Sequence, residues 1–189
     1  PAPDLAFDEV KGVRASFKMF KCCDVNIKND CNLYVPDKIL AKLDIVLASI
    51  HSGFKMDKTT MTKRLIRAME NPHVDIIAHP TGRMIFRREA YQLDFEEIFK
   101  AAKRTKTILE INAYPEKLDL KDADIRQAIE AGVKLAITTD AHNKNQLHFM
   151  ELGISQARRG WAEKKDILNT QPLGKLLENF GKSLRHSER

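Results

Sequence analysis

Residues 107–142 read TILEINAYPEKLDLKDADIRQAIEAGVKLAITTDAH. Two apolar, β-branched runs, TILEINA (107–113) and VKLAITTDAH (133–142), flank an amphipathic stretch, KDADIRQAIEAG (121–132). That stretch closes on a Gly suited to a helix C-cap. Near-continuously apolar strands that alternate with helices belong to a parallel sheet covered by helices. The spacing therefore predicts a β/α/β unit, and with it the class of fold.

The same unit recurs on both sides. DIVLASIH (44–51) precedes DKTTMTKRLIRAME (57–70), where Met61, Leu65, Ile66 and Met69 fall at helical spacing. VDIIAHP (74–80) precedes LDFEEIFKAAKR (93–104), with Phe95, Ile98, Phe99 and Ala102 on one face. VKLAITTDAH is followed by NQLHFMELG (145–153). An earlier unit is read at FKMFKCCDVNI (17–27) with PDKILAKL (36–43), whose Pro36 is well placed at a helix start. KKDILN (164–169) and LGKLLENF (173–180) are predicted as further helices. Units at roughly 30-residue spacing favour a (β/α) barrel over an open sheet, and the chain is short by a unit or two of the about 200–250 residues such a barrel needs.

The 189 residues are read as one domain, with a solvated basic tail over 179–189. A hydrophobic content of 43% with 31% charged residues is that of a globular protein. No run approaches the roughly 18 apolar residues of a membrane span. PAPDLAFDEV (1–10) lacks a signal-peptide layout and an initial Met, so the sequence is expected to begin partway through a longer polypeptide. Three cysteines without CxxC spacing (Cys22, Cys23, Cys31) read as reduced thiols, and the expected location is cytoplasmic. The net charge of +6 suits a polyanionic substrate without requiring one.

Barrel chemistry sits at the C-terminal ends of the strands. The predicted strands end at His51, at His79, at Glu110-Ile111-Asn112, and at Asp140 with His142. Of six histidines, three stop parallel strands at the same end of the sheet, beside an Asp. Asp24 interrupts the apolar run of the earliest strand, which is costly unless the carboxylate is paired or ligates a cation. His73, His148 and His186 read as ordinary surface or turn residues. Mixed imidazole and carboxylate donors without Cys fit Zn²⁺, Mn²⁺ or Fe²⁺. Metals in such a cleft serve hydrolysis by lowering the pKa of bound water and clamping phosphate oxygens. In HPTGRMIFRRE (79–89), Arg83, Arg87 and Arg88 have the fork geometry that grips phosphate, and Arg83, nearest His79, is assigned a catalytic role.

In order and spacing, ASIHSGF, VDIIAHPTGR, LEINAYP, LAITTDAH and ARRGW resemble the PHP (polymerase and histidinol phosphatase) domain over residues 18–178. More narrowly, they resemble the C-terminal PHP domain of bacterial and archaeal family X DNA polymerases. The resemblance implies a distorted (β/α)7 barrel with up to three Mn²⁺ or Zn²⁺ ions. It also implies a 3′–5′ exonuclease or DNA end-processing activity in repair, and a polymerase module in the same polypeptide. By the same resemblance His51 and His79 share one metal with a bridging acid, at the place of Asp24, while Asp140 and His142 serve two others. The family's opening His-x-His motif is absent, and Asp24 stands where the family has Glu. The barrel is thus expected to lack its first one or two β/α units, and one site (Asp24, His51, His79) to form without the others. A small-molecule phosphatase of the histidinol phosphatase type, and a degenerate PHP module without catalysis, are the alternatives.

Overall fold

A computed structural model describes residues 20–180. Five strands form one all-parallel sheet in the order β1-β2-β3-β4-β5: β1 (Cys22–Asn26), β2 (Ile45–Ser49), β3 (Ile76–Ile77), β4 (Ile108–Asn112) and β5 (Leu135–Thr138). Between and after them run α1 (Asp37–Leu40), α2 (Lys58–Met69), α3 (Phe95–Thr105), α4 (Asp122–Glu130), α5 (Met150–Arg159) and α6 (Leu173–Asn179). Each strand pairs in parallel with the next in sequence, so a crossover joins every neighbouring pair.

Local chemistry starts and stops these elements where the sequence marks them. Asp57 caps α2 by accepting the Thr60 N–H at 3.0 Å, and Asp94 caps α3 by accepting that of Glu97 at 3.3 Å. Gly132, at φ 78°, follows the C-cap of α4 in the left-handed conformation that ends a helix cheaply. The expected apolar stripes are the buried ones: Met61, Leu65 and Met69 on α2, and Ile98, Phe99 and Ala102 on α3.

The pleat sends alternate residues to the two sheet faces. Val46, Ala48, Ile77, Leu109, Ile111, Leu135 and Ile137 pack against the helices in the main core. Ile76, Ile108 and Ala136 face the other way, onto Leu168, with Leu176 and Phe180 packed alongside. All five residues of β4 are buried, as befits a strand covered on both faces. Helix α5 approaches β4 and β5 so closely that a Cβ on Gly153 would stand 2.4 Å from Ile137 Cγ2.

The described sheet is linear in its order, with β1 and β5 at its ends. Beyond β5, Ile167 makes a parallel bridge to Leu135, and a 3-10 turn follows over Leu168–Thr170. KKDILN is therefore not the predicted helix. Its Asn169 side chain holds both backbone groups of Ile137, accepting the N–H at 3.1 Å and donating to the carbonyl at 2.8 Å. The open edge of β5 needs partners, and this segment supplies them. No helix is long and apolar enough to cross a membrane among the described residues. The three cysteines are in no disulfide. The tail beyond 180 lies outside the described residues.

Candidate metal centre

Parallel strands deliver whatever follows them to one side of the sheet. Asp24 lies in β1, His51 follows β2 and His79 follows β3. Asp24 Oδ2 stands 3.7 Å from His51 Nε2 and 3.8 Å from His79 Nε2. The two imidazoles meet edge to face with centroids 5.3 Å apart. One ligand atom from each residue lies within 4.8 Å of the others. Donors about 2.0–2.2 Å from a tetrahedral ion lie about 3.3–3.6 Å from one another, so this triad needs little adjustment to hold one.

A second observation agrees. His79 Nε2 is buried, with no hydrogen-bond partner, and faces the Asp24 carboxylate from beyond hydrogen-bonding distance. A cation between them would satisfy both. Burial pushes the Asp24 carboxyl up, but His79, the Ser49 hydroxyl and His51 together bring it below its ordinary value. Burial pushes the His79 imidazole down, and the carboxylates of Asp24 and Glu110 together more than reverse this. His51, more exposed, is lowered by burial.

The triad is braced from the strands behind it. Ser49 Oγ donates to Asp24 Oδ1 at 2.5 Å, which leaves Oδ2 for the imidazoles. Asn26 Oδ1 accepts the His51 N–H at 3.1 Å. Glu110 Oε2 accepts the His79 N–H at 2.5 Å, and His79 sits at φ 30°, a conformation that persists only when neighbours impose it. Glu110 is itself buried, bonded to Thr138 Oγ1 and Asn112 Nδ2, and burial raises its pKa.

Asp140 and His142 take other partners. Asp140, at φ 50° just past β5, receives the Lys117 ammonium at 2.5 Å and the Asn112 amide at 3.2 Å on Oδ2. His142 is exposed; its backbone N–H donates to Gln146 Oε1 at 2.6 Å and its ring lies edge-on to Tyr114. Among the described residues, the one group of three or more His, Cys, Asp or Glu able to share an ion is Asp24, His51 and His79.

The three arginines of residues 79–89 bond to the protein itself. Arg83 Nε donates to the Lys117 carbonyl at 2.9 Å and Nη2 to the Leu118 carbonyl. Arg87 pairs with Glu116 at 3.3 Å, and Arg88 donates to the Gly82 carbonyl while stacking over Phe54. Glu110 and Lys117 are missing from the sequence-based site. Glu110 carries the same signal as Asp24, an acid within an apolar run. Lys117 carries none, being one lysine among many in a polar loop.

Below this loop lies a buried acid with a pH signature. Asp119 Oδ2 accepts the Thr81 N–H at 2.9 Å, Oδ1 has no partner, and burial raises the carboxyl from 3.8 to about 6. A raised carboxyl pKa means that the folded state holds the proton more tightly than the unfolded one. This carboxyl's contribution to stability is therefore fully present below about pH 4 and is lost as pH rises to about 6, by about 3 kcal/mol in total. Asp119→Asn is expected to match the parent at pH 4 and exceed it by about 2–3 kcal/mol at pH 7. Guanidinium unfolding at the two pH values checks this, and an equal gap at both would refute it.

No protein-family profile matches the chain. It is 46% identical over 158 residues to the DNA polymerase/3′-5′ exonuclease PolX of Bacillus subtilis (strain 168), covering 84% of this chain and 28% of that protein. It is 33% identical over 181 residues to a probable phosphatase of Thermoanaerobacter sp. (strain X514), covering 90% of this chain and 69% of that protein. It is 34% identical over 145 residues to a probable phosphatase of Caldanaerobacter subterraneus subsp. tengcongensis, covering 71% of this chain and 53% of that protein.

Proposed function

The chain belongs to the PHP family of phosphoesterase-type domains, and from that premise we propose that it is a metal-dependent phosphodiesterase acting on DNA 3′ ends. In this reading it is the 3′–5′ exonuclease part of a family X polymerase that serves DNA repair in the cytoplasm. A polymerase module belongs to the same polypeptide, and the parallel sheet is part of a distorted (β/α)7 barrel. The observation that carries the reading is the triad itself: a carboxylate and two imidazoles converging at the strand ends, with the buried Nε2 of His79 unpartnered. The likeness to PolX and the net charge of +6 support DNA as the polyanion.

Asp24, His51 and His79 would hold Mn²⁺ or Zn²⁺, which when bound supplies an activated water and a Lewis acid for a phosphate oxygen. Asp24 contributes the negative charge, and Ser49 aims it. Asn26 and Glu110 fix the backbones that carry the two imidazoles. Asp140 and His142 are proposed as ligands of further ions, Asp140 only after it leaves Lys117. Arg83 serves the reaction through the loop that it grips.

A second reading, hydrolysis of a small phosphomonoester, is favoured by the greater share covered of the Thermoanaerobacter probable phosphatase. Offering the Mn²⁺-loaded chain a 3′-ended oligonucleotide and a phosphomonoester in parallel separates the two. The rate is expected to be low, because one site is complete, but mononucleotide release should exceed phosphate release. Faster phosphomonoester hydrolysis would transfer the assignment to the small-molecule class. Bound metal without hydrolysis of either would leave a non-catalytic module.

A further inference from the structure

We propose that Lys117 is a phosphate-binding residue of this site, held ready on Asp140 and positioned by Arg83. The inference rests on the phosphoesterase reading above. Lys117 and Asp140 form an ion pair whose side chains are only 22% and 25% exposed, which sets it apart from most surface pairs of the molecule. The pair stands at the strand ends, on the β4–β5 side of the row that begins with the Asp24 triad: Asn112, at the end of β4, donates to both Asp140 and Glu110, and Glu110 holds His79.

Three features suit this lysine to a phosphate. An ammonium carries three donors, so it can turn from Asp140 to phosphate oxygens. Its flexible stem lets a point charge follow a ligand, as a rigid guanidinium fork cannot. Its backbone, by contrast, is fixed. The Arg83 guanidinium bonds the carbonyls of Lys117 and Leu118, and the Lys117 N–H donates to the Tyr114 carbonyl at 2.8 Å. Arg83 is thus a positioning residue: it anchors the loop from the segment that follows His79, so the cation and the triad share one frame. The anion lies between the triad and Lys117, which replaces its contact with Asp140 by one with a phosphate oxygen.

Inorganic phosphate is the probe. Titrated calorimetrically into the Mn²⁺-loaded chain, it should bind roughly tenfold to a hundredfold more weakly to Lys117→Met, as loss of one charge-assisted hydrogen bond implies. Lys117→Arg should recover part of that loss. Arg83→Met should weaken binding in the same direction, and add little on top of Lys117→Met. Metal content should not fall in any of them, which distinguishes loss of an anion contact from loss of the triad. Where Lys117→Met fails to melt cooperatively, the arginine variant and the parent's phosphate affinity decide. A parent that hydrolyses phosphoesters but binds phosphate equally well without Lys117 would overturn this inference and leave the function standing. A parent that binds no phosphate at all would overturn it too, and absence of hydrolysis alongside would remove the phosphoesterase reading as well.

Discussion

Arg64→Met is expected to lower stability by about 2–3 kcal/mol, because two backbone carbonyls, one of them fully buried, lose their hydrogen-bond donor. Arg64 projects from α2 and is fully buried. Its Nη2 donates to the Ile27 carbonyl at 2.7 Å, Nη1 to the Ser52 carbonyl at 3.1 Å and Nε to the Lys28 carbonyl at 3.2 Å. These carbonyls follow β1 and β2, where the backbone turns away from the sheet and loses its ladder partners. Methionine fills much of the volume and donates nothing, so the buried Ile27 carbonyl is left unpaired at about 1–3 kcal/mol and the Ser52 carbonyl loses its donor at the surface, while the Lys28 carbonyl keeps the Cys31 N–H at 3.0 Å. Relief from burying a charge offsets part of this. Because Ser52 adjoins His51, metal affinity should fall with stability. Guanidinium unfolding and metal titration report the two effects, and a loss below about 1 kcal/mol would show that the clamp is dispensable.

His51→Ala and Asp24→Asn should each abolish stable metal binding while the fold still melts cooperatively. The side chain of His51 is 50% exposed and that of Asp24 38%, so the core barely registers their loss. Asp24 is the carboxylate that faces both imidazoles, and replacing it removes the charge that holds a divalent ion. A hundredfold or greater drop in affinity is expected, roughly 3 kcal/mol or more in binding. His79→Ala should differ from both. That side chain is 7% exposed, so stability is lost together with the metal. Metal analysis after dialysis, paired with thermal melts, separates the cases. Wild-type metal content in Asp24→Asn would exclude the triad as the site.

The fold is legible where the signal is local. Strand runs, helical stripes, the caps at Asp57 and Asp94 and the Gly after α4 are short-range patterns that a few consecutive residues satisfy or fail. KKDILN defeats the local pattern because two apolar residues in six fit either a helix turn or an edge segment. The unpaired edge of β5, which residues 164–169 do not themselves encode, decides between them.

The site divides along the same line. His51, His79, Asp140 and His142 are legible as strand-end residues, since a parallel sheet puts every strand's C-terminal end on one side whatever the loops do. Asp24 is legible as an acid too costly to bury alone. Where each carboxylate goes from there is not. Asp24 meets two imidazoles and Asp140 meets Lys117, although both are acids at the same end of the same sheet. That difference is set by a loop held in place by Arg83 and by a left-handed turn at Asp140. The sequence determined which residues reach the C-terminal end of the sheet, because alternation and strand direction are properties of the local chain. The tertiary structure alone decided which of them touch, because contact depends on side chains from distant segments competing for the same oxygen.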